Sequence, residues 1–117
     1  MKQEDKELLL KDLCSRLPYG VKGNYQNSDD ELLRKVTIMY RYLEPNGMVM
    51  TGDIKPYLFH LSSMTDEQYR EFLSTCNGYC DYYWTEETFD WLNKNHFDYR
   101  GLIEKELAID ATGLNIY

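Results

Sequence analysis

The chain has no apolar run long enough to cross a bilayer. Its most continuous stretch, Val36 to Leu43, is broken by Arg41 and falls far short of the roughly 20 residues a spanning helix needs. The N-terminus, Met1-Lys2-Gln3-Glu4-Asp5-Lys6, carries charges of both signs and lacks the apolar segment of a secretory signal. Cysteine is scarce: Cys14, Cys76 and Cys80 make an odd count, expected to mean free thiols in a reducing, cytoplasmic setting. Basic residues are in the minority, 13 against 20 acidic, for a net charge of −7. They are scattered, with Arg34-Lys35 the only adjacent pair, so a phosphate backbone is repelled and direct nucleic-acid binding is disfavoured. Internal repeats and low-complexity linkers are missing too. No stretch forms a catalytic, cofactor or nucleic-acid motif, and no cofactor is expected.

What is present is a chain of 117 residues, 43% hydrophobic and 28% charged, enough for one domain over residues 1–117 with its own core. Leu9 or Leu10, Leu13, Cys14 and Leu17 recur at helical spacing and predict a helix over 5–17. Glu7 with Lys11 and Asp12 with Arg16 add opposite charges four apart, and Pro18 ends the segment. Tyr19 to Tyr25 reads as a strand, followed by a polar loop in which Ser28 and Glu31 have capping-box spacing. Arg34 to Leu43 alternates like a strand. Glu44-Pro45-Asn46-Gly47 then predicts a bulged hairpin turn, with Gly47 left-handed and Met48 to Thr51 as the return strand. Ile54 to Ser63, with Pro56 and two serines, reads as irregular. Thr65 with Gln68 makes a capping box for a second helix, with Met64 stapling onto Tyr69, that stops at Asn77-Gly78. Tyr79 to Trp84 reads as a short strand. Thr85 caps a third helix ending near Asn95, with Trp84 stapling onto Phe89, and 101–108 holds one more turn. The expected fold is α+β: a small antiparallel sheet of three or four strands with about three helices packed on it.

Three phrases carry a resemblance. They are Lys11-Asp12-Leu13-Cys14 with Arg16-Leu17-Pro18-Tyr19-Gly20-Val21; Lys55-Pro56-Tyr57-Leu58 leading into Ser62-Ser63-Met64-Thr65; and Asp90-Trp91-Leu92-Asn93 leading into His96-Phe97-Asp98-Tyr99-Arg100-Gly101-Leu102-Ile103. Together the chain resembles a group of small uncharacterised proteins of gut anaerobic bacteria and their prophages or other mobile elements. The resemblance implies a cellular setting and carries over no catalytic or binding residue.

Candidate chemistry gathers late in the chain. Cys76 and Cys80, with His96, His60 or Cys14, offer zinc ligands at looser spacing than a zinc knuckle; two partly buried thiols at a helix end is the simpler reading. His96, Asp98, Tyr99 and Arg100 form the densest polar cluster. It reads as a structural corner, with His96 on the carbonyls of its helix, Asp98 paired with Arg100 or a backbone amide, and Gly101 permitting the turn; a ligand or partner site, or a general acid–base pair, is the alternative. Tyr79, Tyr82, Tyr83 and Trp84 make the thickest aromatic patch, read as core and edge packing rather than a stacking surface. Met39, Met48 and Met50 around the hairpin offer a homodimer surface. The leading expectation is a non-enzymatic interaction or accessory module of a mobile element. A metal-dependent or enzymatic protein using Cys76 to Arg100, and an acidic nucleic-acid mimic, are the alternatives.

Overall fold

Leu9 and Leu13, the inner positions of the N-terminal stripe, are buried on helix α1 (Gln3–Arg16) of the computed structural model, which describes residues 1–27 and 30–117. Glu4 and Asp5 occupy its first turn and Arg16 its last, each sign matching the helix dipole. A single 3₁₀ turn, Leu17–Tyr19, follows, and Gly20 closes it at φ 69°. Asp12 and Arg16 form the ion pair that their spacing predicts, at 2.8 Å, but not in solvent. Both are fully buried, because they share the face of Leu9 and Leu13.

The fold is α+β, and among the described residues its sheet has five strands of mixed direction: β1 (Lys22–Tyr25), β2 (Val36–Thr37), β3 (Ile54–His60), β4 (Phe97–Asp98) and β5 (Ile109–Asp110). β1 runs antiparallel to β2, with Gly23 opposite Val36, and to β3, with Gly23 opposite Pro56. β4 and β5 both run parallel to β3, pairing Phe59 with Phe97 and Tyr57 with Ile109. The expectation of an irregular segment after Ile54 is therefore wrong, since this segment is the central strand. Ile54, Pro56, Tyr57 and Leu58 are all buried, so its sequence is a nearly continuous apolar run without alternation. Pro56 lacks one ladder donor but sits opposite a glycine. A Cβ on Gly23 would lie 2.7 Å from Ile54 Cγ2 and 2.9 Å from the Lys55 carbonyl oxygen, so the close β1–β3 approach requires that glycine.

The hairpin is also corrected. β2 ends at Thr37, and the chain enters a 3₁₀ turn, Tyr40–Leu43. The Glu44–Gly47 turn does form, Gly47 N–H donating to the Glu44 carbonyl at 2.8 Å, but Met48 to Thr51 coil back on it. Gly47 is not left-handed; it is needed because a Cβ there would collide with the Tyr42 backbone. The loop delivers Ile38, Leu43, Val49 and Met50 to one core, which a hairpin alternating its side chains between two faces does not do. Met50 is 4% exposed, so the homodimer surface of Met39, Met48 and Met50 loses its third member, while Met39 and Met48 remain 49% and 41% exposed. Ser28, half of one expected capping box, lies outside the described residues. The 3₁₀ turn Glu31–Leu33 is capped by Asp30, whose carboxylate accepts from Leu32 N–H at 3.0 Å.

Helices α2 (Asp66–Ser74) and α3 (Glu86–Lys94) begin at Thr65 and Thr85, each with a capping box, completed by Gln68 and Thr88. Trp84 meets Phe89 edge-on at 5.5 Å, the staple expected there. Tyr79 to Trp84 form a turn rather than a strand. α1, β1, the 38–50 loop and the start of β3 enclose the main core around Leu9, Leu13, Ile54 and Leu58. A second core, around Phe72, Leu92 and Phe97, lies beneath α2 and α3.

Candidate functional site

α3 ends at Lys94 with Asn95 as its C-cap, and His96 turns the chain at φ 63°, a conformation costly for a side chain with a Cβ. The turn aims β4 back along β3, and the His96 carbonyl accepts from Phe59 N–H at 2.8 Å. The imidazole does not bond the carbonyls of its helix, as its position suggests. It lies flat on the Tyr117 ring, centroids 3.7 Å apart, and its Nδ1 is buried with no hydrogen-bond partner among the described residues. Burial, then the charges of Arg16 and Lys22, lower its pKa to about 4, so the ring is neutral at physiological pH. The Tyr117 hydroxyl donates to the Tyr57 carbonyl and accepts from Lys22 N–H, both at 2.8 Å.

Asp98 is buried, not turned towards solvent. Its carboxylate accepts from Arg100, Leu102 and Ile103 N–H at 3.2, 3.1 and 2.9 Å, and Gly101 at φ 75° folds the chain around it. The corner is thus held by one carboxylate that organises three backbone donors, which leaves little of Asp98 for proton transfer. Arg100 does not pair with Asp98 through its side chain; it reaches Asp12 on α1.

Asp12 is the hub that the sequence reading missed. One oxygen accepts from Arg16 Nε at 2.8 Å, and the other from Arg16 Nη2 at 3.0 Å and Arg100 Nε at 3.2 Å. Arg16 Nη2 also donates to the Phe97 carbonyl at 2.6 Å, while its Nη1 is buried without a partner among the described residues. Both guanidiniums lie against the Tyr99 ring, Arg16 Cζ 5.2 Å and Arg100 Cζ 5.0 Å from its centroid, and the Tyr99 hydroxyl donates to Asn93 Oδ1 at 2.9 Å. Over this cluster, between α1 and α3, opens a groove of about 620 Å³ lined by residues that include Lys11, Cys14, Tyr19, Phe89, Asp90 and Arg100. The structure therefore joins Tyr99 and Arg100 to a site on α1 and separates them from His96 and Asp98. The available signal was the spacing of Leu9, Asp12, Leu13 and Arg16, which puts the ion pair on the apolar stripe.

A second surface follows α2. Asn77 and Gly78 turn the chain at φ 53° and 83°, Gly78 N–H donating to the Leu73 carbonyl at 2.8 Å. Cys76 and Cys80 are joined as a disulfide with Cα atoms 5.5 Å apart, so the expectation of three free thiols is corrected to one, Cys14. Thr85 Oγ1 ties the far end of the loop to the Thr75 carbonyl at 2.9 Å, and Trp84 Nε1 donates to the Cys80 carbonyl at 3.0 Å. Trp84 packs inward. Tyr79, Tyr82 and Tyr83 do not: all three are exposed, Tyr82 by 84%, and Tyr79 stacks on Tyr83. Core packing was the wrong expectation for these three rings. From Glu71 to Asn93 the chain has no lysine or arginine, and Glu71, Asp81, Glu86, Glu87 and Asp90 are all exposed.

Among the described residues, no group of three or more His, Cys, Asp and Glu side chains comes together as a metal site, and no helix is long and apolar enough to cross a membrane. No protein-family model, curated protein or solved structure matches this chain.

Proposed function

We propose that this chain is a non-enzymatic interaction module that receives an arginine- or lysine-rich protein segment on the tyrosine loop and the acidic start of α3. The observation that carries the reading is the coincidence of three exposed tyrosine rings with five exposed carboxylates in a stretch without a single cationic side chain. Cations gain from aromatic faces and from nearby carboxylates together, and a field of one sign steers the encounter. The loop is held by hydrogen bonds at both ends, Gly78 N–H to the Leu73 carbonyl and Thr85 Oγ1 to the Thr75 carbonyl, so it is ordered before any partner arrives whether or not the Cys76–Cys80 bridge is closed, and little ordering is left to oppose binding. The non-enzymatic side is supported by Asp98, which is committed to backbone donors, and by His96, which is stacked on Tyr117. The proposed setting, which the resemblance of the sequence suggests, is the bacterial cytoplasm, as an accessory protein of a prophage or other mobile element.

Fluorescence anisotropy with a labelled oligo-arginine peptide tests the reading. The wild type is expected to bind with an affinity that falls as salt rises. Tyr82→Ser with Tyr83→Ser should weaken it about tenfold, the loss of two cation–aromatic contacts. Glu104→Gln with Glu106→Gln removes two charges elsewhere on the surface and should change little. Weakening by the Glu104/Glu106 variant with none by the Tyr82/Tyr83 variant means that net charge alone attracts the peptide, and the reading fails.

A further inference from the structure

We infer that the groove between α1 and α3 is a binding site for a small organic anion with a flat apolar body, an aryl carboxylate or aryl phosphate. The cluster beneath it holds two guanidiniums, Arg16 and Arg100, on a single carboxylate, Asp12. It therefore pairs two cations with one carboxylate, the neighbouring Asp98 being occupied by backbone donors, inside a chain whose net charge is −7. Arg16 spends its charge where solvent does not reach, but the Arg100 side chain is 20% exposed and lines the groove. Arg100 gives its Nε to Asp12 and only a long 3.4 Å contact from Nη2 to the Tyr99 hydroxyl. Its fork is fixed in place with donors to spare, the condition for charge-assisted recognition of a carboxylate or phosphate. Lys11 adds a second cation at the rim, against one lining carboxylate, Asp90.

The rest of the lining suits a flat body. Phe89 and Tyr19 are exposed beside the groove, with Pro18, and Tyr99 forms part of it. Tyr99 is held by the Arg16 and Arg100 guanidiniums against its ring and by Asn93 through its hydroxyl, so the aromatic wall does not reorganise when a ligand enters. The volume, about 620 Å³, lies in the range of small-molecule sites. The groove shares Asp90 with the acidic stretch but none of the three exposed tyrosines of the loop, and its test does not depend on the protein-binding reading.

Cys14, the one free thiol, lines the same groove and is exposed, so its alkylation rate reports occupancy. With iodoacetamide as reagent and ionic strength held constant, benzoate at about 20 mM is expected to slow modification about fivefold, as a millimolar ligand of this size does. Phenyl phosphate is the second arm, and whichever of the two protects more names the head group. Benzyl alcohol and sodium chloride should give no protection. Arg100→Gln should abolish the effect. Lys11→Gln, at an exposed position whose side chain makes no hydrogen bond or ion pair among the described residues, should reduce it severalfold while the fold stays intact. Absence of protection by both anions overturns the inference, as does equal protection by benzyl alcohol or protection that survives in both variants.

Discussion

Acid should unfold this protein through His96 before its carboxylates give way. In the folded chain the imidazole stays neutral down to about pH 4, because burial disfavours its cation and Arg16 and Lys22 oppose it. In the unfolded chain the same ring takes its proton near 6.5. Between these values the unfolded state binds more protons than the folded one, so stability falls as pH falls, beginning near 6.5 and completing near 4. At 1.36 kcal/mol per pH unit the full loss is about 3 kcal/mol, of which about 2 kcal/mol is gone by pH 5. Urea melts at pH 7, 6 and 5, on the wild type and on His96→Asn, measure it. Asparagine is the replacement because it tolerates the left-handed backbone at this position. The variant should start lower at pH 7, having lost the stack on Tyr117, but decline less steeply. Carboxylates titrate alike in both chains, so the difference in slope belongs to His96. Parallel curves for the two proteins would refute the reasoning.

Asp98→Ala should cost about 3 kcal/mol in urea melts, since it strands the buried Leu102 N–H and the Ile103 N–H, and Phe97→Ala about 3–5 kcal/mol through the cavity it leaves against Trp91 and Phe59; a harmless Asp98→Ala would mean that the corner is held otherwise. Asp12→Ala should cost about 3–5 kcal/mol by leaving the Arg16 charge buried alone, whereas Asp12→Leu combined with Arg16→Met should recover most of it, as denaturant midpoints will show. Thr65→Ala should lose about 1 kcal/mol and Thr85→Ala nearer 2 kcal/mol, the second because Thr85 Oγ1 also bonds the Thr75 carbonyl. Calorimetry should give one unfolding transition, since β3 contributes Ile54 and Leu58 to the main core, Phe59 to the edge of the second, and Tyr57 to a small third cluster with Ala111 and Ile116.

The elements legible in the sequence were those specified by a local device. The Thr65 and Thr85 caps, the Trp84 staple and the 3.6-residue stripe of α1 depend on neighbours within one or two turns, and the structure has them where the spacing puts them. β3 was illegible because burial on both faces erases alternation, and Pro56 reads as a breaker unless Gly23 is known to sit opposite. The 38–50 loop imitates a hairpin because its turn chemistry is real while its strand periodicity is accidental. The candidate site was half legible. Tyr99 and Arg100 stood out as polar residues after a helix, but their partners Asp12 and Arg16 lie more than 80 residues earlier, and no spacing rule reaches that far. Separating Asp98 from Arg100 likewise required knowing that the chain folds back on Asp98 at Gly101.

Arg16 Nη2 reaches the Phe97 carbonyl and the Tyr117 hydroxyl reaches Lys22 N–H, so the first helix and first strand are completed by the final stretch of chain. A cut between Asn77 and Gly78 would give one piece with α1, β1, β2, β3 and α2, and another with α3, β4 and β5. The larger piece would hold a buried ion pair with no carbonyl to receive it and a central strand missing two neighbours. The smaller would hold those neighbours and no sheet to join. The two are complementary fragments, each the other's template. Cys76 and Cys80 fall on opposite sides of that cut, so a nicked chain stays covalently joined while the disulfide is closed and is held by the fold alone once it is reduced.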